Sequence, residues 1–166
     1  MNTKNIAKIG MMVAVAFVLS YIESMLPLNF GVPGIKAGFS NIVVIFSLFS
    51  FSPLTTFGIA IVRIILCGLT FGSLSGMLYS LAGGILSFLV MLLLKKTQKF
   101  SIYGISVAGG VSHNIGQILV AMAVLQNKMV LYYLPFLLIA GVVAGMIVGI
   151  IGAILVKRLK YIDTNM

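Results

Sequence analysis

Residues 112–117, Ser-His-Asn-Ile-Gly-Gln, set an imidazole and two carboxamides into an otherwise apolar stretch. At 100° per residue, His113 and Gln117 fall one helical turn apart, and Asn114 lies about 60° around the axis from Gln117. Gly109 and Gly110 border the same arc and leave room beside it. A face of this kind both donates and accepts hydrogen bonds, which suits recognition of a small molecule. Arg63 is the other polar group deep in an apolar run, and Glu23, Lys36 and Asn41 lie around the first connection. These residues divide into pocket groups (Arg63, His113, Asn114, Gln117) and groups at the pocket mouth (Glu23, Lys36, Asn41). Arg63 and Lys36 against Glu23 favour an anionic or strongly hydrogen-bonding ligand, and Phe30, Phe39 and Phe71 supply apolar surface.

Catalysis fits these residues poorly. Ser112 and His113 are adjacent, so on a helix they point about 100° apart, and no acid is placed to orient the imidazole. A phosphate-binding loop ending in Lys-Ser or Lys-Thr is absent, which argues against ATP hydrolysis by this chain. One histidine and the single Cys67 supply neither a transition-metal site nor a disulfide.

The elements that must position the polar groups are membrane helices. Of 166 residues, 61% are apolar and 8% charged, against about 45–50% and about 25% in soluble domains. Six spans are expected, about 6–26, 39–51, 54–70, 72–94, 102–125 and 131–156, forming one all-α membrane domain over residues 1–166. The second is short for a bilayer. Pro27, Pro33 and Gly34, then Ser52-Pro53, the cluster Lys95, Lys96 and Lys99, and Asn127-Lys128 punctuate the chain. The apolar run after Lys4 and Lys8 continues past Ala16, so the first helix is read as uncleaved.

Eleven basic residues against two acids would be compatible with nucleic acid, but their placement marks topology instead. With both termini cytoplasmic, Lys4, Lys8, Lys95, Lys96, Lys99, Lys157, Arg158 and Lys160 all fall on the cytoplasmic side, where they also attract anionic lipid. His113 and Arg63 then lie roughly 16 and 14 Å along their helices, near mid-membrane. Glu23, Lys36 and Asn41 are expected nearer the outer surface.

Small residues recur every four positions in the later helices: Gly72, Gly76, Ser80 and Gly84; Gly104, Ala108, Ser112 and Gly116; Gly141, Gly145, Gly149 and Ala153. Such ladders let helix backbones approach closely in lipid. Helix one carries the weaker pairs Gly10 with Ala14 and Ala16 with Ser20, which suit internal packing or a partner equally.

Residues 21–42 (YIESMLPLNFGVPGIKAGFSNI), 63–72 (RIILCGLTFG), 80–84 (SLAGG) and 100–117 (FSIYGISVAGGVSHNIGQ) resemble a bacterial membrane family known as heptaprenyl diphosphate synthase component I, or the Gx transporter family. The resemblance spans nearly the whole chain. It implies an architecture like that of the substrate-binding S components of energy-coupling factor (ECF) transporters: a six-helix bundle in the cytoplasmic membrane with an outward pocket under a lid formed by residues 27–38. It also implies docking of helix one on a transmembrane coupling subunit that works with ATPase subunits. Those S components dock through Ala-x-x-x-Ala, for which this chain has Gly10-x-x-x-Ala14. The family's association with flavin-based extracellular electron transfer and quinone-related gene sets implies a vitamin, flavin or isoprenoid-type ligand; no intrinsic cofactor is expected.

The synthase name fails a chemical test, because prenyl elongation uses clustered carboxylates to hold Mg²⁺ on a diphosphate. The two acids here, Glu23 and Asp163, are assigned to opposite sides of the membrane. The expected function is therefore capture of a small molecule from outside by a non-catalytic membrane subunit. The alternative is a membrane scaffold or accessory subunit for isoprenoid or quinone synthesis or for flavin-based electron transfer.

Overall fold

The computed structural model describes residues 3–25 and 38–164. Among these, six α-helices and one 3-10 helix account for the regular structure: α1 (Thr3–Met25), α2 (Asn41–Ser50), α3 (Pro53–Thr70), α4 (Leu74–Thr97), α5 (Ile102–Leu125), the 3-10 helix Lys128–Tyr133 and α6 (Leu134–Thr164). The expected Pro27, Pro33 and Gly34 punctuation and Lys36 lie outside the described residues.

Local chemistry sets the helix ends. Ser52, Ser73 and Ser101 each turn a side-chain oxygen onto a backbone N–H three residues on, from Thr55, Gly76 and Gly104, satisfying a donor that the first turn leaves open. Pro53 occupies the first turn of α3, where its missing N–H costs nothing. Asn127 accepts from Met129 N and starts the 3-10 helix. Gln98 and Gln126 close α4 and α5 in the left-handed conformation, at φ 55° and 48°.

Five helices are long and apolar enough to cross a bilayer, and large apolar side chains such as Leu54, Leu69, Leu93 and Ile139 face outward. In water such a surface would be untenable; in lipid it is the solvent-facing one. The chain is a multi-pass membrane protein.

The second helix departs from a simple span. At 10 residues it is about 15 Å long, half the roughly 30 Å hydrocarbon thickness. Ile42 to Leu48 are nonetheless all buried, because α2 sits inside the bundle. Ile45 fills the space left by Gly152 of α6. Lys95, from the end of α4, donates to the Leu48 carbonyl and stands 5.1 Å above the Phe49 ring, so a cation closes the negative end of α2.

The most extensive packing is α4 on α5 and α5 on α6. The α6 ladder is used as expected: a Cβ on Gly141 would lie 2.9 Å from Gly110 O, one on Gly145 2.7 Å from Val107 Cα, and one on Gly149 3.1 Å from Tyr103 Cα. On α4 the contact falls one residue from the expected ladder. Gly83, not Gly84, meets α5, its notional Cβ 2.7 Å from His113 O, while Gly84 faces Ile64 of α3. Gly72 lies in the turn before α4 rather than in the helix.

The two pairs on α1 separate cleanly. Ala16 and Ser20 are buried, with Ala16 packed among Val43 and Ile59. Gly10 and Ala14 are exposed, and nothing approaches within 4 Å of a Cβ on Gly10.

These contacts make glycine substitutions discriminating. Gly145→Val drives a side chain into the α5 backbone and should destabilise by about 1–3 kcal/mol or more, whereas Gly10→Val should leave stability unchanged. Thermal unfolding of the two variants in the same detergent measures the difference.

Candidate functional site

The apolar stripe of α3 (Thr56, Ile59, Ala60, Ile64, Cys67) is its core face, and Arg63 lies on it. The guanidinium is 7% exposed. Its Nη1 donates weakly to Ser20 Oγ of α1 at 3.4 Å, and its Nε has no partner. Burying such a charge is costly unless a counter-charge accompanies it. Glu23, one turn beyond Ser20 and 5% exposed, is within electrostatic reach of Arg63.

Glu23 also accepts the backbone N–H of Gly38, so it ties α1 to the residues that lead into α2. Gly38 has φ +88°, and a Cβ there would lie 3.0 Å from Asn41 Nδ2. The positive φ favours glycine there.

His113 and Gln117 face Gly83 of α4. A Cβ on Gly83 would stand 3.1 Å from His113 Cε1 and 2.8 Å from Gln117 Cγ, so both side chains pass beside one glycine. The imidazole is within electrostatic reach of Arg63. Gln117 is 0% exposed. His113 Nδ1 and both polar atoms of the Gln117 carboxamide lack any hydrogen-bond partner. Native proteins leave few buried polar groups unsatisfied, each at a cost of about 1–3 kcal/mol. Here four such atoms, counting Arg63 Nε, come from α3 and α5.

Asn114 has a different place. Its Nδ2 donates to Leu137 O of α6 at 2.6 Å, and a Cβ on Gly141 would lie 3.0 Å from it. It joins α5 to α6, away from the face that carries Gln117. Asn41 is also separate. Half-buried at the start of α2, it lines a cavity with Gly38, Ser87, Met91, Ser106, Gly109 and Gly110 among others. The cavity offers about 10 Å³ to water centres, room for one water. On α5 it lies one turn from His113 toward the Lys95 end, deeper in the bundle than the expected mouth. Lys36 is outside the described residues. Phe71 packs edge-on against Phe17 and Tyr21 of α1, at 5.4 Å from each.

The structure thus places Arg63 with Ser20 and Glu23, sets His113 and Gln117 beside Gly83, and turns Asn114 and Asn41 elsewhere. It adds Ser20, Gly38 and Gly83. Ser20 was visible as a small residue in a helix pair, but its role as an arginine partner follows only from the α1–α3 packing.

Comparison with known proteins is consistent with this architecture. The family model described as heptaprenyl diphosphate synthase component I matches residues 12–155. A solved structure of the S component of a bacterial ECF transporter superposes with a TM-score of 0.72 at 22% identity, covering 98% of each chain. No curated protein matches the chain in sequence.

The satisfied and unsatisfied carboxamides should respond oppositely to removal. Asn114→Leu deletes an interhelical hydrogen bond and should cost about 0.6–1.7 kcal/mol. Gln117→Leu replaces an unsatisfied amide by an apolar group of similar size and should be neutral or stabilising. Thermal denaturation in the absence of ligand compares the two.

Proposed function

The chain belongs to the heptaprenyl diphosphate synthase component I family, and from that membership and its fold we propose that it is the substrate-binding subunit of a membrane transporter. The observation that carries the proposal is that Arg63 Nε, His113 Nδ1 and the Gln117 carboxamide are all buried and without partners. A packing device would use these groups on one another, as Asn114 is used on Leu137. Groups left unsatisfied at a stability cost are suited to a ligand that completes them.

In this reading a small anionic or strongly hydrogen-bonding molecule, of the vitamin, flavin or isoprenoid-related kind that the family resemblance implies, is captured from outside the cell, with both termini cytoplasmic. Arg63, His113 and Gln117 contact it. Glu23 holds Arg63 between ligands. Asn114 positions α5, and Lys36 belongs to the approach.

The structural relative is an S component, and the exposed Gly10 and Ala14 on α1 offer a flat surface for a transmembrane coupling subunit served by ATPase subunits. Small residues permit close helix contact in lipid. The synthase in the family description needs carboxylates for a diphosphate-bound cation. With two acids in the whole chain the residues do not fit that group, and the subunit is assigned no catalytic step.

Two experiments test the assignment. A ligand at 100 times its dissociation constant should stabilise the purified protein by about 2.7 kcal/mol, and this shift should vanish in Arg63→Ala and His113→Ala. A broad panel that produces no saturable shift would favour a scaffold instead. Separately, Gly10→Leu combined with Ala14→Leu should abolish cellular uptake while ligand binding to the isolated subunit is retained; loss of both would place these residues in the fold rather than at a docking surface.

A further inference from the structure

Four cations at one end of the bundle face outward. Lys96 at the end of α4, Lys99 in the turn 98–101, and Lys157 and Arg158 of α6 are all exposed. Lys95 differs from them, because it is engaged by the Leu48 carbonyl and the Phe49 ring. Of the two acids in the chain, Glu23 is buried and Asp163 lies about 7 Å beyond Arg158 along α6. The excess at this end is positive.

Helix register places these cations around the start of α5. The turn 98–101 is short, so Lys96 and Lys99 stand close to the first residues of α5. On the other flank Gly149 of α6 packs on Tyr103, and Lys157 follows it by about 12 Å along the helix. Side chains on a helix lean toward its N-terminus, which returns the Lys157 ammonium toward the level where α5 begins. At 100° per residue Lys157 falls about 80° from Gly149, on the flank of the exposed Met146 and Ile150. Gly152, which faces α2, falls on the opposite flank. Lys157 therefore lies on the lipid-facing side next to α5, with Arg158 about 100° further round.

Between the two sets of cations the surface is apolar and aromatic. Leu93 is 63% exposed, Phe100 51% and Tyr103 48%. Packed helices stand about 8–10 Å apart, so α4 and α6 are within roughly 20 Å of each other across α5. Long basic side chains reaching in from both flanks can meet one headgroup in that span. Leu93 and Tyr103 lie where its chains would run, and tyrosine is favoured at a membrane interface. Cations beside exposed apolar atoms match the two parts of an anionic phospholipid.

We propose that this face of α4, α5 and α6 binds one anionic phospholipid, its phosphate held between Lys96, Lys99 and Lys157 with Arg158 at the rim. Such a site is distinct from the diffuse attraction of a basic surface to an anionic leaflet. Diffuse attraction would draw equally on Lys8, which is exposed on α1. That helix packs chiefly on α2 and α3, away from α5. The assignment rests on charge and helix register, and is independent of the transport reading.

Phosphatidylglycerol is the probe, and phosphatidylcholine, zwitterionic with the same chains, is the control. Native mass spectrometry of the full-length protein, titrated with each lipid in detergent, counts the molecules retained. The unmodified protein should keep one phosphatidylglycerol, saturably, at about a tenth or less of the concentration that phosphatidylcholine needs. Lys99→Gln combined with Lys157→Gln should weaken this retention about tenfold or more, since each cation near a headgroup contributes about fivefold. Lys8→Gln should leave it unchanged.

Equal retention of the two lipids overturns the proposal. So does a loss in Lys8→Gln as large as that in the double variant, which would reduce the patch to diffuse charge. The comparison of the two lipids on the unmodified protein carries the test even where a variant misfolds.

Discussion

The backbones of α4, α5 and α6 touch, and the placement of the polar groups depends on that contact. Lipid tails are as apolar as leucine, so no hydrophobic drive pulls helices together in a bilayer; dispersion and interhelical hydrogen bonds must do so. Both strengthen as axes approach. On one side of α5, Gly116 lies against Ala82 and Gly83, its notional Cβ 2.8 Å from Ala82 O. On the other side Gly110 and Val107 meet Gly141 and Gly145. Held on two flanks, α5 has little freedom to rotate, and the directions of His113, Asn114 and Gln117 follow.

That rotation separates two uses of chemically similar side chains. Asn114 points to α6 and finds the Leu137 carbonyl, so its burial contributes to stability. Gln117, about 60° around the helix, points beside Gly83 and finds nothing. A sequence selected only for stability would place an aliphatic residue there. The same conflict holds for Arg63, which keeps a charge where leucine would pack without penalty. Buried polar groups that lower stability are exceptions to the local rules that otherwise specify the bundle.

Much of this was legible from residue types. Composition established a membrane protein, and hydrophobic runs located all the helices to within a few residues except at the far end of α6, which continues to Thr164. The α6 ladder was read correctly because its glycines fall at steps of four on one face. The α4 ladder was misread by one position: Gly83 and Gly84 are adjacent, 100° apart, and only the crossing with α5 decides which of them is the contact. Likewise Gly10-Ala14 and Ala16-Ser20 have the same spacing, and it is α2 and α3 packing on one side of α1 that buries the second pair. Asn41 was expected near the outer surface, beside Glu23 and Lys36. The short length of α2 and its buried position in the bundle carry Asn41 to the level of Gly109 and Gly110. Spacing defines faces, but which neighbour a face meets is set by tertiary packing.

The short second helix also ties the polar core to the rest of the bundle. Lys95 holds one end of α2 at Leu48, while the residues leading into the other end are held where Glu23 accepts the Gly38 amide. Gly38 takes a left-handed backbone there, and Glu23 lies within electrostatic reach of Arg63. Glu23 therefore joins two contacts, the Arg63 charge and the Gly38 amide, and through them links α1, α3 and the residues leading into α2.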